Sequence, residues 1–212
     1  PDALASRLLL KDLAVFNRLY PDVDLELIPG YQSIDLDDAQ ADIVVRVTDS
    51  PPESMVGRRI GIVAFAAYTS VDFRRTHPDF DIKRGLPWVD WAGQGEVAAH
   101  YQALRLQYFQ DVKVAIRCDQ IEMQLAAILA GIGMGVLPCF IGEHDSRLER
   151  LNDMPVQAGP DIWILTHPAS RSVRRIQLFL AFLRDTLAGY KDVLEAGAGE
   201  DGSGSGNDQA LS

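Results

Sequence analysis

The chain has 212 residues, of which 47% are hydrophobic, 8% aromatic and 24% charged, and its formal net charge is −10. This composition is ordinary for a globular protein with a sizeable core, in one large domain or two small ones. No apolar run approaches the roughly 18 residues of a membrane span. No secretory signal is visible, and an acidic surface disfavours contact with a phosphate backbone.

The first predicted helix comes from apolar residues at helical spacing up to Pro21. Ser6 or Asp2 is a suitable cap for it, since both residue types accept hydrogen bonds from free backbone N–H groups. Apolar and acidic residues then alternate over 23–27. This alternation predicts a strand with one face in water.

The next stretches alternate between strand and helix signals. Residues 33–41 predict a short acidic helical turn, and the apolar run 42–47 predicts a strand typical of a parallel sheet covered on both faces. Two strands are predicted over 55–60 and 62–68. The remaining predicted elements are a helix at 71–77, a strand at 86–91, a helix at 97–109 and a strand at 113–117, then a helix at 140–144, strands at 147–151 and 161–167, and a helix at 172–190.

The segment DQIEMQLAAILAGIGMGVLP, residues 119–138, predicts a helix, a glycine stop and a buried strand. Asp119 is a good N-cap, and Glu122 three residues later completes a capping-box pattern. Gly131 and Gly133 predict the helix end, because glycine enters left-handed conformations at little cost. A helix that leads through a turn into a buried strand indicates an α/β protein.

No residue pattern predicts catalysis, a metal or a cofactor. The glycine-rich run follows a helix and opens a strand, which is the reverse of a phosphate-binding loop. The four histidines lack metal-ligand spacing, and no serine lies in a GxSxG context. Cys118 and Cys139 form no CxxC pair, so we expect both to be reduced and buried.

Helix N-termini are the strongest candidates for a binding site, because they offer free N–H donors and a field that favours anions. Two such ends are predicted, one from Asp2 to Ser6 and one at Asp119 and Gln120. Residues 46–48 leave a strand nearby. The alternative is structural: Ser6 and Asp119 would be caps, and Arg46 would form a surface ion pair.

Four motifs, in order, resemble the effector-binding domain of LysR-type transcriptional regulators. LLLKDLAVFNRLYPDVDLEL is similar to the first helix and strand of that family, and DLDDAQADIVVRV to its short acidic helix and next strand. LAAILAGIGMGVLP resembles its glycine turn, and DIWILTHPASRSVRRIQLFLAFLRDTL its closing strand and last helix. The resemblance runs from about Leu4 to Ala188.

This resemblance implies a periplasmic-binding-protein-like α/β fold, with two Rossmann-like subdomains joined by a hinge and a small-molecule effector in the interlobe cleft. Subdomain I would hold residues 1–67 and 147–190, and subdomain II residues 68–146, with 197–212 as a disordered tail. The implied ligand-binding residues are Asp2, Ala3, Ser6, Arg46, Val47, Thr48, Asp119 and Gln120.

The resemblance also implies a cytoplasmic homodimer or higher oligomer that binds DNA only through an N-terminal winged helix-turn-helix, missing from this chain. Asp119 stands where many members carry a small hydroxyl residue. An acidic group there disfavours a carboxylate effector unless it is protonated or paired with Arg46. A solute-binding protein of a transporter is the alternative, since it shares the two-lobed layout. A transferase or lyase is a third hypothesis, and no acid/base pair supports it.

Overall fold

The computed structural model describes residues 2–28, 30, 41–77 and 86–197. The described residues form two compact units. Unit 1 comprises 2–63 and 159–195, and unit 2 comprises 64–158 with 196 and 197, apart from the gaps already given. The subdomain boundaries predicted from the sequence, between residues 67 and 68 and between residues 146 and 147, remain a prediction.

The elements follow one another in alternating helices and strands. They are α1 (Asp2–Leu4), a π-helical segment (Ala5–Leu9), α2 (Leu10–Leu19), β1 (Ile43–Val47), β2 (Val56–Ser70), α3 (Val71–Thr76), β3 (Pro87–Trp91), α4 (Glu96–Tyr108), β4 (Lys113–Cys118), α5 (Ile121–Leu129), β5 (Met134–Pro138), α6 (Cys139–Gly142), β6 (Leu148–Arg150), β7 (Gln157–Thr166), α7 (Arg174–Gly189) and α8 (Lys191–Leu194). The chain passes between the units inside β2 and inside β7, and again after Glu195.

The helices of unit 1 are held together by aromatic packing. Phe16 of α2 is completely buried, and its ring centre lies 4.9 Å from that of Phe179 and 5.0 Å from that of Phe182, both on α7. The hydroxyl of Tyr190 donates to Asp12 Oδ2 at 2.7 Å. Aromatic pairs at these separations add to the hydrophobic contribution of the buried area, so this contact holds α2 against α7.

Three predictions for unit 1 are corrected. Residues 23–28 form no strand, since alternation predicts which face is wet but supplies no hydrogen-bonding partner. The strand predicted at 42–47 is present as β1, but it pairs antiparallel with β7, from Ile43 opposite Thr166 to Val47 opposite Ile162. Ser6 is not the helix cap, because the helix has begun by Asp2.

The turn predicted at 33–41 and the tail predicted at 197–212 lie almost entirely outside the described residues.

Unit 2 is a mixed sheet with helices packed on it. The second half of β2 pairs antiparallel with β5 and with β6, while β3 lies parallel to β4 and to β5. Trp88, Ile128 and Met134 are almost completely buried in its core. The order predicted within residues 119–138, a helix, a turn and a buried strand, is confirmed by α5 and β5, and the positive φ of +75° falls at Gly131 and not at Gly133.

The two strands predicted on either side of Gly61 are one continuous strand of 15 residues, β2. Gly61 does not break the strand because its missing side chain leaves room for another group. A Cβ there would lie 2.7 Å from Glu195 Oε1, and this carboxylate accepts the Ile62 N–H at 3.4 Å. A residue that follows α8 therefore supports β2.

Gly133 gives a test of the packing of β5. A Cβ at this position would meet the backbone carbonyl of Pro87, which cannot move without distorting β3. Gly133→Ala should lower the free energy of unfolding by at least about 2 kcal/mol, measured by urea denaturation. Gly189→Ala is the control: nothing lies within 4 Å of a Cβ there, so its stability should be unchanged or slightly higher. Equal stability of both variants would contradict the prediction.

Candidate functional site

The three site residues predicted at the start of the chain lie on unit 1, around an irregular stretch of helix. Asp2 is half-buried in the first turn, Ser6 is exposed, and Ala3 is only 1% exposed. The Ser6 hydroxyl donates to the carbonyl of Ala3 at 3.4 Å. Ala3 can therefore offer a ligand only its backbone, whereas Ser6 can offer its hydroxyl.

The π-helical segment from Ala5 to Leu9 contains Ser6 and was not foreseen from the sequence. One extra residue in the turn changes the hydrogen-bond ladder, and such turns are frequent at functional sites. Apolar spacing carries no signal for a single widened turn. The segment also places Arg7, an exposed residue, next to Ser6.

The second predicted group, Arg46 to Thr48, lies at the end of β1 on unit 1. Arg46 and Val47 are half-buried, and Thr48 is completely buried. The Thr48 N–H donates to the Asp161 carbonyl at 2.9 Å, and its hydroxyl accepts the Ser50 N–H at 3.1 Å. The Thr48 side chain thus shapes the turn after β1, while Arg46 is more exposed to solvent than Thr48.

The third group, Asp119 and Gln120, lies on unit 2 at the start of α5, and both side chains are exposed. Gln120 is the N-cap, with extended backbone angles and no side-chain cap hydrogen bond. The prediction of Asp119 as the cap is wrong, because the helix begins one residue later. The buried Gln124 amide donates to the Cys118 carbonyl at 3.4 Å and ties α5 to the end of β4.

A polar network around the buried Tyr68 in unit 2 was also missed by the sequence interpretation. Tyr68 is 1% exposed, its hydroxyl donates to Glu143 Oε1 at 3.0 Å, and Arg150 donates to the same oxygen at 3.1 Å. The Tyr68 ring fills the space where Gly142 would otherwise carry a side chain. Burial, followed by the proximity of Cys139 and Glu143, raises the pKa of Tyr68. The phenol therefore stays protonated.

Neither cysteine presents a reactive thiol. Cys118 and Cys139 are both free and buried, as predicted, and burial raises the pKa of each thiol. Within the described ranges, no three His, Cys, Asp or Glu side chains lie together as metal ligands would. Among those same residues, no helix has the length and hydrophobicity to span a bilayer.

Comparison with known proteins identifies the family. The family model "LysR substrate binding domain" matches residues 1–188. The chain belongs to the LysR substrate-binding domain family. Its fold is therefore the periplasmic-binding-protein-like, two-lobed α/β fold, which confirms the predicted fold class.

Relatives and solved structures agree with this membership. Over 180 residues the chain is 23% identical to the iron-regulated virulence regulatory protein IrgB of Vibrio cholerae serotype O1, which covers 80% of this chain and 59% of IrgB. The regulatory domain of CrgA from Neisseria meningitidis has a TM-score of 0.75 at 20% identity, over 87% of this chain and 94% of that one. The effector domain of AmpR from Pseudomonas aeruginosa has a TM-score of 0.69 at 13% identity, over 89% and 92%.

The buried phenol of Tyr68 predicts a stability change at high pH. Above the ordinary tyrosine pKa of about 10, the unfolded chain loses this proton while the folded chain keeps it. The free energy of unfolding should therefore fall as pH rises, with about 1.4 kcal/mol per pH unit contributed by this residue. Tyr68→Phe should remove this part of the slope.

The measurement is urea denaturation at several pH values from about 9 to about 11. Tyr108→Phe is the matched control, since Tyr108, the last residue of α4, is only half-buried and its hydroxyl accepts a hydrogen bond from the exposed Gln107. Titration of other groups is common to all three proteins and cancels in the comparison. A Tyr68→Phe slope equal to that of the unmodified chain would show that the phenol does not couple to folding.

Proposed function

We propose that this chain is the ligand-sensing and dimerising part of a LysR-type, DNA-binding transcription regulator. The observation that carries the proposal is the family match across residues 1–188 together with the two-unit α/β fold. Domains of this kind respond to a small molecule that binds one conformational state better than another. The chain would therefore sense an effector and would catalyse no reaction.

The chain spans 59% of the length of the curated relative it matches, the regulator IrgB. DNA binding is accordingly proposed for a part of the regulator outside this chain. The net charge of −10 supports this division, because an acidic surface repels the DNA backbone. We propose that the regulator acts in the cytoplasm, where its DNA target lies.

A solute-binding protein of a transporter is not favoured. The matched structures are regulatory or effector domains of transcriptional regulators, and the curated relative is a regulatory protein. A catalytic role has no support in the described residues either, since neither the cysteines nor the buried phenol offers an activated nucleophile. We retain sensing as the function to test.

The effector contacts remain those predicted from the sequence. On unit 1, the exposed Ser6 hydroxyl and the half-buried Arg46 are the groups best placed to reach a ligand. On unit 2, Gln120 offers an amide that makes no cap hydrogen bond, and Asp119 lies exposed beside it. Ala3, Val47 and Thr48 would contribute through their backbones and through the shape of their turns. Asp2 would act through the negative charge of its carboxylate.

Ser6→Ala and Gln120→Ala test the two groups separately. Each should weaken effector binding about two- to tenfold, the loss expected for one hydrogen bond, with the melting temperature nearly unchanged. The effector is first found by thermal-shift screening of small metabolites, since a ligand that binds only the native state raises its stability. Affinity is then measured by calorimetry.

Ser172→Ala on unit 1 and Gln110→Ala on unit 2 are the controls, because both residues are exposed and lie outside the predicted site. If the site variants bind as tightly as the controls, Ser6 and Gln120 are not ligand contacts. Tight binding of a DNA duplex to this chain alone, strongly weakened by salt, would overturn the proposal that DNA binding belongs to another part of the regulator. A sedimentation experiment that finds only monomers would overturn the dimerising role.

A further inference from the structure

A small open pocket lies within unit 2, between α4 and the carboxyl ends of the parallel strands β3 and β4. Its volume is about 160 Å³, and its lining includes Asp90, Trp91, Gln102, Arg105 and Arg117. This is room for roughly five water molecules, or for a small organic ion. Ends of parallel strands are common places for ligands in α/β sheets.

The polar groups of the pocket are brought together by strand pairing and by the face of α4. Asp90 and Arg117 are direct neighbours in the β3–β4 register, so their side chains share one face of the sheet. Arg105 reaches the same carboxylate from α4: its Nε lies 3.3 Å from Asp90 Oδ2, and Arg117 Nε lies 4.0 Å from that oxygen. Two guanidinium groups therefore share one carboxylate.

The charge balance of this cluster favours an anion. The side chains of Asp90 and Arg105 are only 9% and 14% exposed, while that of Arg117 is 60% exposed. One carboxylate offsets one guanidinium, which leaves one formal positive charge on the lining. Because the Asp90–Arg105 pair is largely shielded from water, the surplus charge is carried by the exposed guanidinium of Arg117, where an anion can reach it.

Arg105 is incompletely satisfied by Asp90. Its Nε is buried and lacks a hydrogen-bond acceptor within the described part of the chain, although Asp90 is near enough for an ion pair. Because this Nε is not exposed to the pocket, an anion there would be met by the Nη groups of Arg105, and a guanidinium is best matched by two oxygens of one planar or tetrahedral anion. A tether between α4 and β3 would explain the Asp90–Arg105 pair, but not the convergence of Arg117 on an open pocket.

We propose that this pocket is a binding site for a small oxyanion, a carboxylate or a phosphate group, held by Arg105 and Arg117. Asp90 acts as a positioning residue that keeps the two guanidinium groups turned toward the pocket. The Gln102 amide, exposed on α4, is a further donor at the rim. None of the eight predicted effector contacts lines this pocket, so the inference does not depend on the proposed function.

The test is a titration of the whole chain followed by NMR of the arginine side chains. Sodium phosphate and sodium malonate are each added against sodium chloride at equal ionic strength, and the Nε–Hε resonance of Arg105 is monitored. A saturable shift with either oxyanion, absent with chloride, is the expected result. A response to phosphate alone or to malonate alone identifies which group the pocket recognises.

Arg117→Gln should raise the dissociation constant of the oxyanion about tenfold or more. Arg117→Lys should restore part of the affinity, because lysine keeps the positive charge but lacks the paired N–H donors of the guanidinium. Arg184→Gln is the control, an arginine of unit 1 with a 49% exposed side chain. Gln120→Ala should leave the Arg105 response unchanged, which separates this site from the predicted effector contacts. A shift that is linear up to the highest concentration, equal in chloride, or unaffected by Arg117→Gln would overturn the proposal.

Discussion

The backbone hydrogen bonding of β2 is the constraint on which both units depend. This strand of 15 residues contributes its first half to unit 1 and its second half, from Ala64 onward, to unit 2. In unit 2 it pairs with β5 and β6. In unit 1 it runs so close to β7 that Gly57 has no room for a side chain beside Ile164. Each unit therefore draws part of its sheet from this one strand, and the N–H and C=O groups of the neighbouring strands would lose their partners without it.

The C-terminal helices of unit 1 contact two elements from a distant part of the sequence, α2 and β2. Tyr190 at the end of α7 is bonded to Asp12, and Glu195 after α8 accepts the N–H of Ile62 next to the passage between units. Contacts between residues far apart in the chain close a long loop, and the conformational entropy lost in closing it must be offset by the contact. The Glu195 contact supplies an acceptor to β2 at Ile62, next to the residue where the chain passes from one unit to the other.

The sequence predicts most helices and strands because their apolar faces are long and periodic. It fails at features that depend on a partner far along the chain. Gly61 looks like a break until the Glu195 carboxylate is placed beside it, and the alternation at 23–27 finds no partner strand. The direction of β1 relative to its neighbour is likewise absent from its own five residues. For the candidate site, the resemblance supplies the positions, but not the burial of Ala3 and Thr48. No local motif joins Asp90, Arg105 and Arg117, which meet only through the β3–β4 register and the packing of α4.

The contact between Tyr68 and Gly142 has an evolutionary consequence. The aromatic ring occupies the volume that any larger residue at position 142 would need, and the ring is fixed in turn by its bond to Glu143. Position 142 can therefore gain a side chain only if the residue at position 68 becomes smaller. Descendants of this chain that acquire a side chain at 142 should carry a smaller residue at 68, and Glu143 would then lose the bond from the phenol and keep its ion pair with Arg150.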